Sequence, residues 1–400
     1  MKDILIISYN EGAKKFNDSN CDEIINQILL EEPALIYVAT QESISGGVID
    51  HYQHRLRHQL EDLNYQLLEK YDASISIPTI GGIIVNKNVR SRVYFNKDKV
   101  YYDVKYSNAK ELLLSKIKIT SKKFKESTKS GFKSLGLLKK FFKVKDAPEP
   151  TLFKGSIYTE LILDINNNPV KFIFVNSHLF YKKKSNTGIE ERIKEFNNLV
   201  TEFELIDKWK EGYNIFFCGD LNFRLFSSSN LHYDTSTGKN SYHKSINIIK
   251  DYILKLHSDD NEKKEINKKL KKESELYNFL NSEANSFYSE LKKSIDNIGI
   301  HLTAKYKENT INNTKQLFKK ETHVTNEKIT KVFNILPKNK YIRIPSQTDV
   351  ILYALSNNIS INPKNFKMYL SPDRSDHKMV SLFVDITSIK NNQINNIKNY

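Results

Sequence analysis

The segment Phe216–Arg224, which reads F-F-C-G-D-L-N-F-R, constrains the fold more than any other part of the sequence. The residues from Tyr213 to Cys218 are mostly bulky and apolar, which is typical of a buried strand. Gly219 interrupts this run, so Asp220 and Asn222 follow directly after the end of the strand. Side chains at such ends face the mouth of a layered α/β fold, where binding sites are commonly built. The segment therefore predicts a strand that delivers polar side chains to a site.

The three polar residues of this segment suit phosphate chemistry. Asp220 brings a carboxylate, and Asn222 brings an amide that both donates and accepts hydrogen bonds. Such a pair can hold an attacking water and bind phosphate oxygens, while the planar cation of Arg224 matches a phosphate group. A Gly-Asp turn capped by an Asn explains G-D-x-N equally well, because short motifs also occur by chance. The rest of the chain has to decide between these two interpretations.

Length and charge limit the number of domains and the class of partner, but they do not identify the function. The 400 residues suffice for one large domain or two modest ones, and an apolar share of 39% with 11% aromatic residues is enough for a core. Lys and Arg number 62 against 47 Asp and Glu, a formal net charge of +15. This excess favours an anionic partner, which can be a nucleic acid, a membrane surface or a polyphosphate.

Cysteine usage and the apolar runs predict a cytoplasmic protein. The two cysteines, Cys21 and Cys218, cannot form a disulfide framework. The N-terminal run Ile4–Ile7 has the pattern of a short strand and not of a signal peptide. No apolar stretch of the sequence has the length that a transmembrane helix needs.

Polar side chains accompany the ends of several further predicted strands. Each of them, taken alone, is explained as a turn former or a structural histidine. Their order along a strand-rich chain, together with Asp220 and Asn222, indicates instead a site built from many strand ends. The residues concerned are Asn10, Glu42, His178, Asp349, Asp376 and His377.

Two long segments interrupt the strand pattern. Residues 121–150 are rich in Lys and carry Phe and Leu pairs, which predicts a basic surface insertion or, alternatively, a loop that contacts an anionic membrane. Residues 226–325 are too long for a simple connection and predict a helical insertion. Within it, the charge run at 259–275 is interpreted as a solvated helix face or a linker. The whole is predicted to be a single catalytic domain, 1–388, followed by a flexible tail, 389–400.

In this order the motifs resemble the endonuclease/exonuclease/phosphatase superfamily and, within it, the inositol polyphosphate 5-phosphatases. G-D-L-N-F-R is the most specific motif, because the nucleases share G-D-x-N while the aromatic residue and Arg after it are typical of the 5-phosphatases. The segments N-S-H-L-F and N-F-R-L look most similar to the type I branch, which acts on soluble inositol trisphosphate. The matching pieces are Gln41-Glu42, Gly81-Gly82, Asn176–Leu179, Gly219–Arg224, Pro345-Ser346, Asp349–Leu352 and Ser375–His377.

The resemblance implies a fold and an activity. The fold is α/β (α+β), a four-layer α/β/β/α sandwich with two packed, mixed and largely antiparallel sheets. The activity is Mg²⁺-dependent removal of the 5-phosphate from inositol polyphosphates or phosphoinositides, such as inositol 1,4,5-trisphosphate or phosphatidylinositol 4,5-bisphosphate. The implied partner is this substrate, with peripheral membrane contact through the basic insertion. Nucleic acid is not an expected partner, and the protein is expected to be a monomer.

The same resemblance assigns the metal and the water. It implies that Glu42 is the main metal ligand, with Asn10 beside it and Asp376 near the ion. Mg²⁺ prefers oxygen ligands and keeps several waters, so one or two carboxylates are sufficient. Asp220 would orient or deprotonate the attacking water, and Asn222 would hold the water or the phosphate.

It also assigns the phosphate contacts. His377 would hydrogen-bond or protonate around the scissile phosphate, with Asp349 holding its imidazole, and His178 would bind a phosphate oxygen in the transition state. The other ring phosphates would be bound by Arg224, Arg343 and Lys340.

The sequence departs from the family pattern at four positions and leaves two alternatives open. Ile80 stands where a Lys is usual, Gln347 and Val350 stand where Trp and Arg are usual, and Met379 replaces a Pro. Two usual basic side chains are therefore missing, which predicts an altered substrate affinity or choice. The alternatives are an Mg²⁺-dependent endonuclease of the same superfamily and a catalytically weak phosphoinositide-binding module.

Overall fold

The computed structural model describes a defined part of the chain, and the account below concerns that part. It comprises residues 4–12, 22, 25–26, 28, 30, 32–43, 64–72, 80–86, 93–95, 155–165, 168–179, 188–225, 240–255, 260–304, 306, 323–333, 337–338, 341–342, 345–356, 366–369 and 375–386. The basic insertion at 121–150 and the tail at 389–400 lie outside these ranges.

Strands and helices alternate along the described chain. The strands are β1 (Ile4–Asn10), β2 (Leu35–Gln41), β3 (Tyr65–Asp72), β4 (Ile80–Asn86), β5 (Val93–Phe95), β6 (Gly155–Ile165), β7 (Asn168–His178), β8 (Asn214–Asp220), β9 (Pro337–Lys338), β10 (Tyr341–Ile342), β11 (Asp349–Ala354), β12 (Phe366–Met368) and β13 (Val380–Val384). The helices are α1 (Gly188–Glu202), α2 (Leu205–Lys210), α3 (Asn240–Lys255), α4 (Asp260–Glu273), α5 (Glu275–Ser282), α6 (Ser286–Ile298) and α7 (Asn326–Val332).

The long strands form two mixed sheets. The first sheet has the strand order β12-β13-β1-β2-β4-β3, and the second has the order β11-β8-β7-β6-β5. Each sheet contains one parallel pair, β1 with β2 and β7 with β8, while the other neighbours are antiparallel. The short strands β9 and β10 pair only with each other among the described residues. Two mixed, largely antiparallel sheets are what the sequence predicts.

An aromatic core joins the two sheets face to face. Tyr37 of the first sheet stacks on Phe174 of the second with ring centroids 4.4 Å apart, and Phe216 stacks on Phe174 at 5.5 Å. Aliphatic side chains from both sheets complete this inner cluster. Side chains alternate between the faces of a strand, so Phe217 lies on the opposite face and stacks on Phe196 of α1 at 4.8 Å.

Helices cover the outer faces. The outer face of the second sheet is packed by α1, α3, α4, α5 and α6 in one continuous apolar cluster. On the first sheet, Leu5, Ile7 and Val38 pack with Ile25 and Ile28 from the helical turns before β2. The structure therefore confirms the four-layer α/β/β/α sandwich.

Helices α3 to α6 follow β8 within the range that was predicted to be a helical insertion. The charge run forms helix α4, which buries Ile266 and Leu270 and keeps its lysines outside, so it is an amphipathic helix and not a linker. Helix α6 ends at Ile298, and residues 299–304 after it are not helical. Among the described residues, no helix has the length and apolarity to cross a membrane.

The strand directions bring the strand ends that carry polar side chains to one edge of the sandwich. Because β1 and β2 are parallel, Asn10 pairs with Gln41 at their carboxyl ends. In the second sheet, β7 and β8 end together with His178 opposite Asp220, and the antiparallel β11 begins with Asp349 opposite the same Asp220. This edge carries the candidate site.

Candidate active site

Asp220 lies at the centre of the polar edge. Its Oδ2 accepts a hydrogen bond from Asn10 Nδ2 at 2.8 Å, which joins the two sheets, and its Oδ1 accepts one from the backbone N–H of Asn222 at 3.0 Å. The Nε2 atom of His178 is 3.4 Å from the same Oδ2. With only 2% of its surface exposed, Asp220 is held in one orientation by donors on both oxygens.

The backbone after β8 requires the residues that the sequence has. Gly219 has a φ of +125°, and a Cβ there would lie 2.0 Å from the carbonyl oxygen of Ser177 on β7. Asn222 is in the left-handed region with φ +55°, which Asn tolerates better than most residues. The Asn222 side chain donates from Nδ2 to the Leu179 carbonyl at 2.9 Å. The turn thus places both polar side chains against the end of β7.

Glu42 and Asp220 flank one imidazole. The Nε2 atom of the fully buried His178 is 3.5 Å from Glu42 Oε1 and 3.4 Å from Asp220 Oδ2. Glu42 follows β2 with a φ of +52°, and its side chain remains 30% exposed. A carboxylate that opens to solvent therefore stands beside a buried one.

His377 joins the remaining carboxylates. Its Nδ1 is 2.7 Å from Asp349 Oδ2 and 4.0 Å from Asp220 Oδ2, while its Nε2 is 3.5 Å from Asp376 Oδ1. The hydroxyl of Thr348 donates to Asp349 Oδ2 at 2.9 Å, so that this oxygen accepts two hydrogen bonds. The arrangement orients the imidazole and surrounds it with negative charge.

These charges determine the protonation of the pair. Burial lowers the pKa of His377, but Asp349, Asp376 and Asp220 outweigh burial and raise it to about 9. Burial also raises the pKa of the Asp349 carboxyl, an effect that the contact with His377 opposes. His377 is therefore held as an imidazolium at neutral pH, with Asp349 as its nearest carboxylate.

We expect His377 to titrate with a pKa of about 9 in metal-free protein. This folded-state value lies above the unfolded value of about 6.5. Its contribution to stability is thus complete below about pH 6.5 and is lost as the pH rises through about 9. Asp349→Asn removes the nearest carboxylate and should lower this pKa, which an NMR titration of the imidazole signals measures.

His301 provides the internal control for that titration. Its pKa is lowered because the ring is buried, although its contact with the Ile298 carbonyl opposes the shift. The two histidines should therefore titrate on opposite sides of the ordinary value, and only His377 should respond to Asp349→Asn. A His377 pKa at or below about 6.5 would contradict the ion pair.

Arg224 stands at the end of the central turn. Its Nη2 donates to Asn222 Oδ1 at 3.0 Å, which links the cation to the Asp220 cluster. Lys340 and Arg343 lie outside the described residues. Val350 is 2% exposed in the cluster between the second sheet and the helices, because alternation along β11 directs it away from the face of Asp349. Val350 therefore contributes to packing in this structure, and its effect on substrate affinity or choice stays a prediction.

Several supporting residues were not identified from the sequence. The hydroxyl of Ser375 donates to the Asn10 carbonyl at 2.7 Å and accepts from the backbone N–H of His377 at 3.1 Å. Thr303 accepts from the backbone N–H of Asp349 through its hydroxyl at 3.1 Å, and its carbonyl accepts from Lys378 N at 2.7 Å. Ser375 belongs to the recognised motif Ser375–His377, although no role was predicted for it, whereas nothing in the local sequence distinguishes Thr303.

A second polar bridge crosses between the sheets at this edge. Gln41 Nε2 donates to Asn176 Oδ1 at 2.7 Å, and Asn176 Nδ2 donates to the Thr40 carbonyl at 3.2 Å. All three residues are fully buried. Since buried polar groups without partners are costly, this bridge specifies how the ends of β2 and β7 meet.

The donor set fits a hard cation held mostly by solvent. Glu42 and Asp376 present carboxylates that are each 30% exposed, and the Asn10 amide oxygen retains a lone pair beside its bond to Gly12 N. Within the described ranges, no three His, Cys, Asp or Glu side chains are grouped as ligands of one ion. Mg²⁺ needs only one or two carboxylates because it keeps several waters.

The sandwich and its polar edge place the protein in a known class. A sequence model described as endonuclease/exonuclease/phosphatase family 2 matches residues 7–269, which include the second half of β1, all of β2 and the Asp220 turn. This match spans more than half of the chain, and the chain belongs to that family. No curated protein sequence matches it significantly.

Solved structures resemble this chain over most of its length, and the first of those below shows the same fold. The inositol polyphosphate 5-phosphatase domain of SPsynaptojanin, in complex with inositol (1,4)-bisphosphate and calcium, aligns with 96% of this chain and 83% of its own at 15% identity and a TM-score of 0.52. A Cimex nitrophorin ferrous NO complex covers 96% and 97% at 13% identity and a TM-score of 0.46. D. rerio TDP2 with single strand DNA product covers 96% and 99% at 13% identity and a TM-score of 0.42.

Proposed function

We propose that the protein is an Mg²⁺-dependent phosphomonoester hydrolase that removes the 5-phosphate from inositol polyphosphates or phosphoinositides. The observation that carries this proposal is one connected cluster at the sandwich edge, in which Glu42, His178, Asp220 and His377 follow one another through contacts of 4.0 Å or less. Catalytic acids and bases need such mutual geometry before their pKa values matter.

Asp220 is proposed to orient and deprotonate the attacking water. Its two oxygens already accept from Asn10 and Asn222, so the carboxylate cannot rotate freely. In the reaction, the water oxygen forms a bond to phosphorus as the bond from phosphorus to the ring oxygen breaks. A carboxylate fixed beside the water removes its proton without first having to be ordered.

The imidazoles are proposed to act on the phosphate. His377 is held as an imidazolium by Asp349, which suits it to donate to a phosphoryl oxygen or to protonate the leaving ring oxygen. The Nε2 atom of His178 lies within 3.5 Å of a carboxylate oxygen of Glu42 and of Asp220. A contact of His178 with a phosphate oxygen in the transition state remains a prediction.

The ion would be held by Glu42 and Asp376 with the amide oxygen of Asn10. When bound, it would offset the negative charge on the phosphoryl oxygens. The all-oxygen donor set and the exposure of both carboxylates support Mg²⁺ over a transition metal.

The inositol substrate is supported by the aromatic residue and Arg that follow G-D-x-N. Arg224 is proposed to bind a second ring phosphate, together with Arg343 and Lys340, and similarity to the type I branch suggests a soluble inositol phosphate. The structural neighbour that holds inositol (1,4)-bisphosphate supports the same substrate class. A monomeric, cytoplasmic protein that contacts membranes through residues 121–150 also remains a prediction, which vesicle sedimentation of a variant lacking this segment would test.

Phosphate release with Mg²⁺ tests the proposal directly. We expect release from inositol 1,4,5-trisphosphate and a weaker release from vesicles that contain phosphatidylinositol 4,5-bisphosphate. Chelation of the metal should abolish both, and re-addition of Mg²⁺ should restore them. An abasic DNA duplex serves as the control substrate, because a nuclease of the same family would cleave it. Cleaved DNA with unreacted inositides would reject the proposal.

A further inference from the structure

The backbone of Arg224 is held from outside the active-site edge by the helical region. The N–H of Arg224 donates to Glu275 Oε2 at 2.8 Å, and the N–H of Glu275 donates to the Arg224 carbonyl at 2.9 Å. Leu225 and Ser274 continue this pairing as an antiparallel bridge. Glu275 is the first residue of α5, so one residue of the helical region satisfies both backbone polar groups of Arg224.

Glu275 is in turn neutralised by Arg192 on α1. The distance from Arg192 Nη2 to Glu275 Oε2 is 2.7 Å, and both side chains are only 4% exposed. The guanidinium of Arg192 also lies over the ring of Phe223, 5.8 Å from its centroid, and Phe223 stacks on Phe279 of α5. The Arg192–Glu275 pair is therefore buried beneath the turn that carries the site.

Because Arg192 neutralises Glu275, the side chain of Arg224 is directed toward Asn222. Without Arg192, the carboxylate of Glu275 would be an unneutralised buried anion next to Arg224 and would attract its guanidinium. With Arg192 bound to Glu275, the Nη2 of Arg224 donates instead to Asn222 Oδ1, on the side of Asp220. Burial lowers the pKa of Arg192, Glu275 opposes this effect, and the positive charge of Arg224 adds to it, which indicates that the two cations act on each other.

We infer that Glu275 and Arg192 are positioning residues that hold Arg224 for a substrate phosphate and so determine substrate affinity. The inference rests on the proposed function, in which Arg224 binds a ring phosphate. It also gives the helical region a role, because α5 supplies a buried charge to the Asp220 turn, Gly219–Arg224. The competing explanation is that the pair only fastens α1 to α5.

Variants of the Arg192–Glu275 pair, made alone and combined with Arg224→Ala, separate these explanations in an assay with inositol 1,4,5-trisphosphate. For Glu275→Gln, which preserves the shape but leaves Arg192 as an unneutralised cation that repels Arg224, we expect KM to rise about tenfold while kcat changes less than about threefold. The same change made in Arg224→Ala should add little, because the contact it positions is already gone. Arg192→Met with Glu275→Leu replaces the pair by apolar groups, so it should regain thermal stability relative to Glu275→Gln while KM stays raised.

Lys271→Met is the matched control. It breaks the ion pair between Lys271 and Asp296, 2.6 Å apart, which joins α4 to α6 in the same helical layer without touching the Asp220 turn. It should lower Tm slightly and leave KM unchanged. Calorimetric binding of inositol 1,4-bisphosphate provides a readout of affinity that needs no turnover.

The outcomes are separable. A KM that recovers together with Tm in the apolar double variant would show that the pair only fastens the helices, and an unchanged KM in Glu275→Gln would likewise overturn the inference. If Glu275→Gln and Arg224→Ala raise KM by factors that multiply in the combined variant, the inference is overturned as well. In these three cases the wild type still hydrolyses inositides, so the proposed function stands. A wild type that neither hydrolyses nor binds them overturns the proposed function, and this inference with it.

Discussion

Asp220→Asn is expected to reduce phosphate release by about a thousandfold or more. The change removes the carboxylate proposed to take the proton from water while keeping the size of the side chain. It also introduces an amide donor at a position where both carboxylate oxygens are acceptors. Whichever way the new amide is oriented, its NH₂ group faces a donor, either Asn10 Nδ2 or the backbone N–H of Asn222. The measurement is the rate of phosphate release from inositol 1,4,5-trisphosphate at saturating Mg²⁺.

The control for Asp220→Asn is Asp251→Asn. Asp251 is a half-exposed carboxylate on α3 that pairs with Lys269 at 3.0 Å, on the surface of the helical layer. This change removes the same charge and should leave the rate within about twofold, since exposed ion pairs contribute little. Circular dichroism of both variants shows whether the fold is retained. If Asp220→Asn keeps more than about a tenth of the rate, the proposed role of Asp220 is wrong.

Gly219→Ala is expected to lower the free energy of unfolding by about 3 kcal/mol or more. The φ of +125° at Gly219 is strained for any L side chain, and the added Cβ would lie 2.0 Å from the Ser177 carbonyl oxygen. This neighbour is the backbone of β7 where it pairs with β8, and it cannot move without separating the two strands. Activity should fall as well, because the shift displaces Asp220. Chemical denaturation of the variant measures the loss.

Gly299→Ala is the comparison for this effect. Gly299 also has a positive φ, +87°, but the nearest atom to its added Cβ is the side-chain Nδ2 of Asn267 at 3.0 Å. A side chain can move aside, so we expect a smaller loss, of about 1–2 kcal/mol. Equal losses at the two glycines would show that the backbone contact at Gly219 is not the source of the cost.

The residues that identify the site could be predicted because their signals are local. A strand followed by Gly219 and Asp220 places a carboxylate at a strand end by alternation and length alone. The same holds for Asn10, Glu42 and His377, each next to an apolar run. Which ends meet depends on strand order, and this was inferred from the resemblance of the whole series of motifs. The structure gathers these residues at one edge because β1, β2, β7 and β8 all end there.

The sequence by itself determined where the strands lie along the chain, which residue types stand at their ends and which family the motifs resemble. Only the tertiary structure decided the contacts that join distant segments. Thr303 supports Asp349, and Glu275 holds Arg224, yet 46 and 51 positions separate these partners. It likewise decided that Val350 is buried in the apolar cluster between the second sheet and the helices. The physical reason is that alternation and helical periodicity act over a few residues, whereas a buried hydrogen bond or ion pair depends on which surfaces the packed sheets and helices bring together.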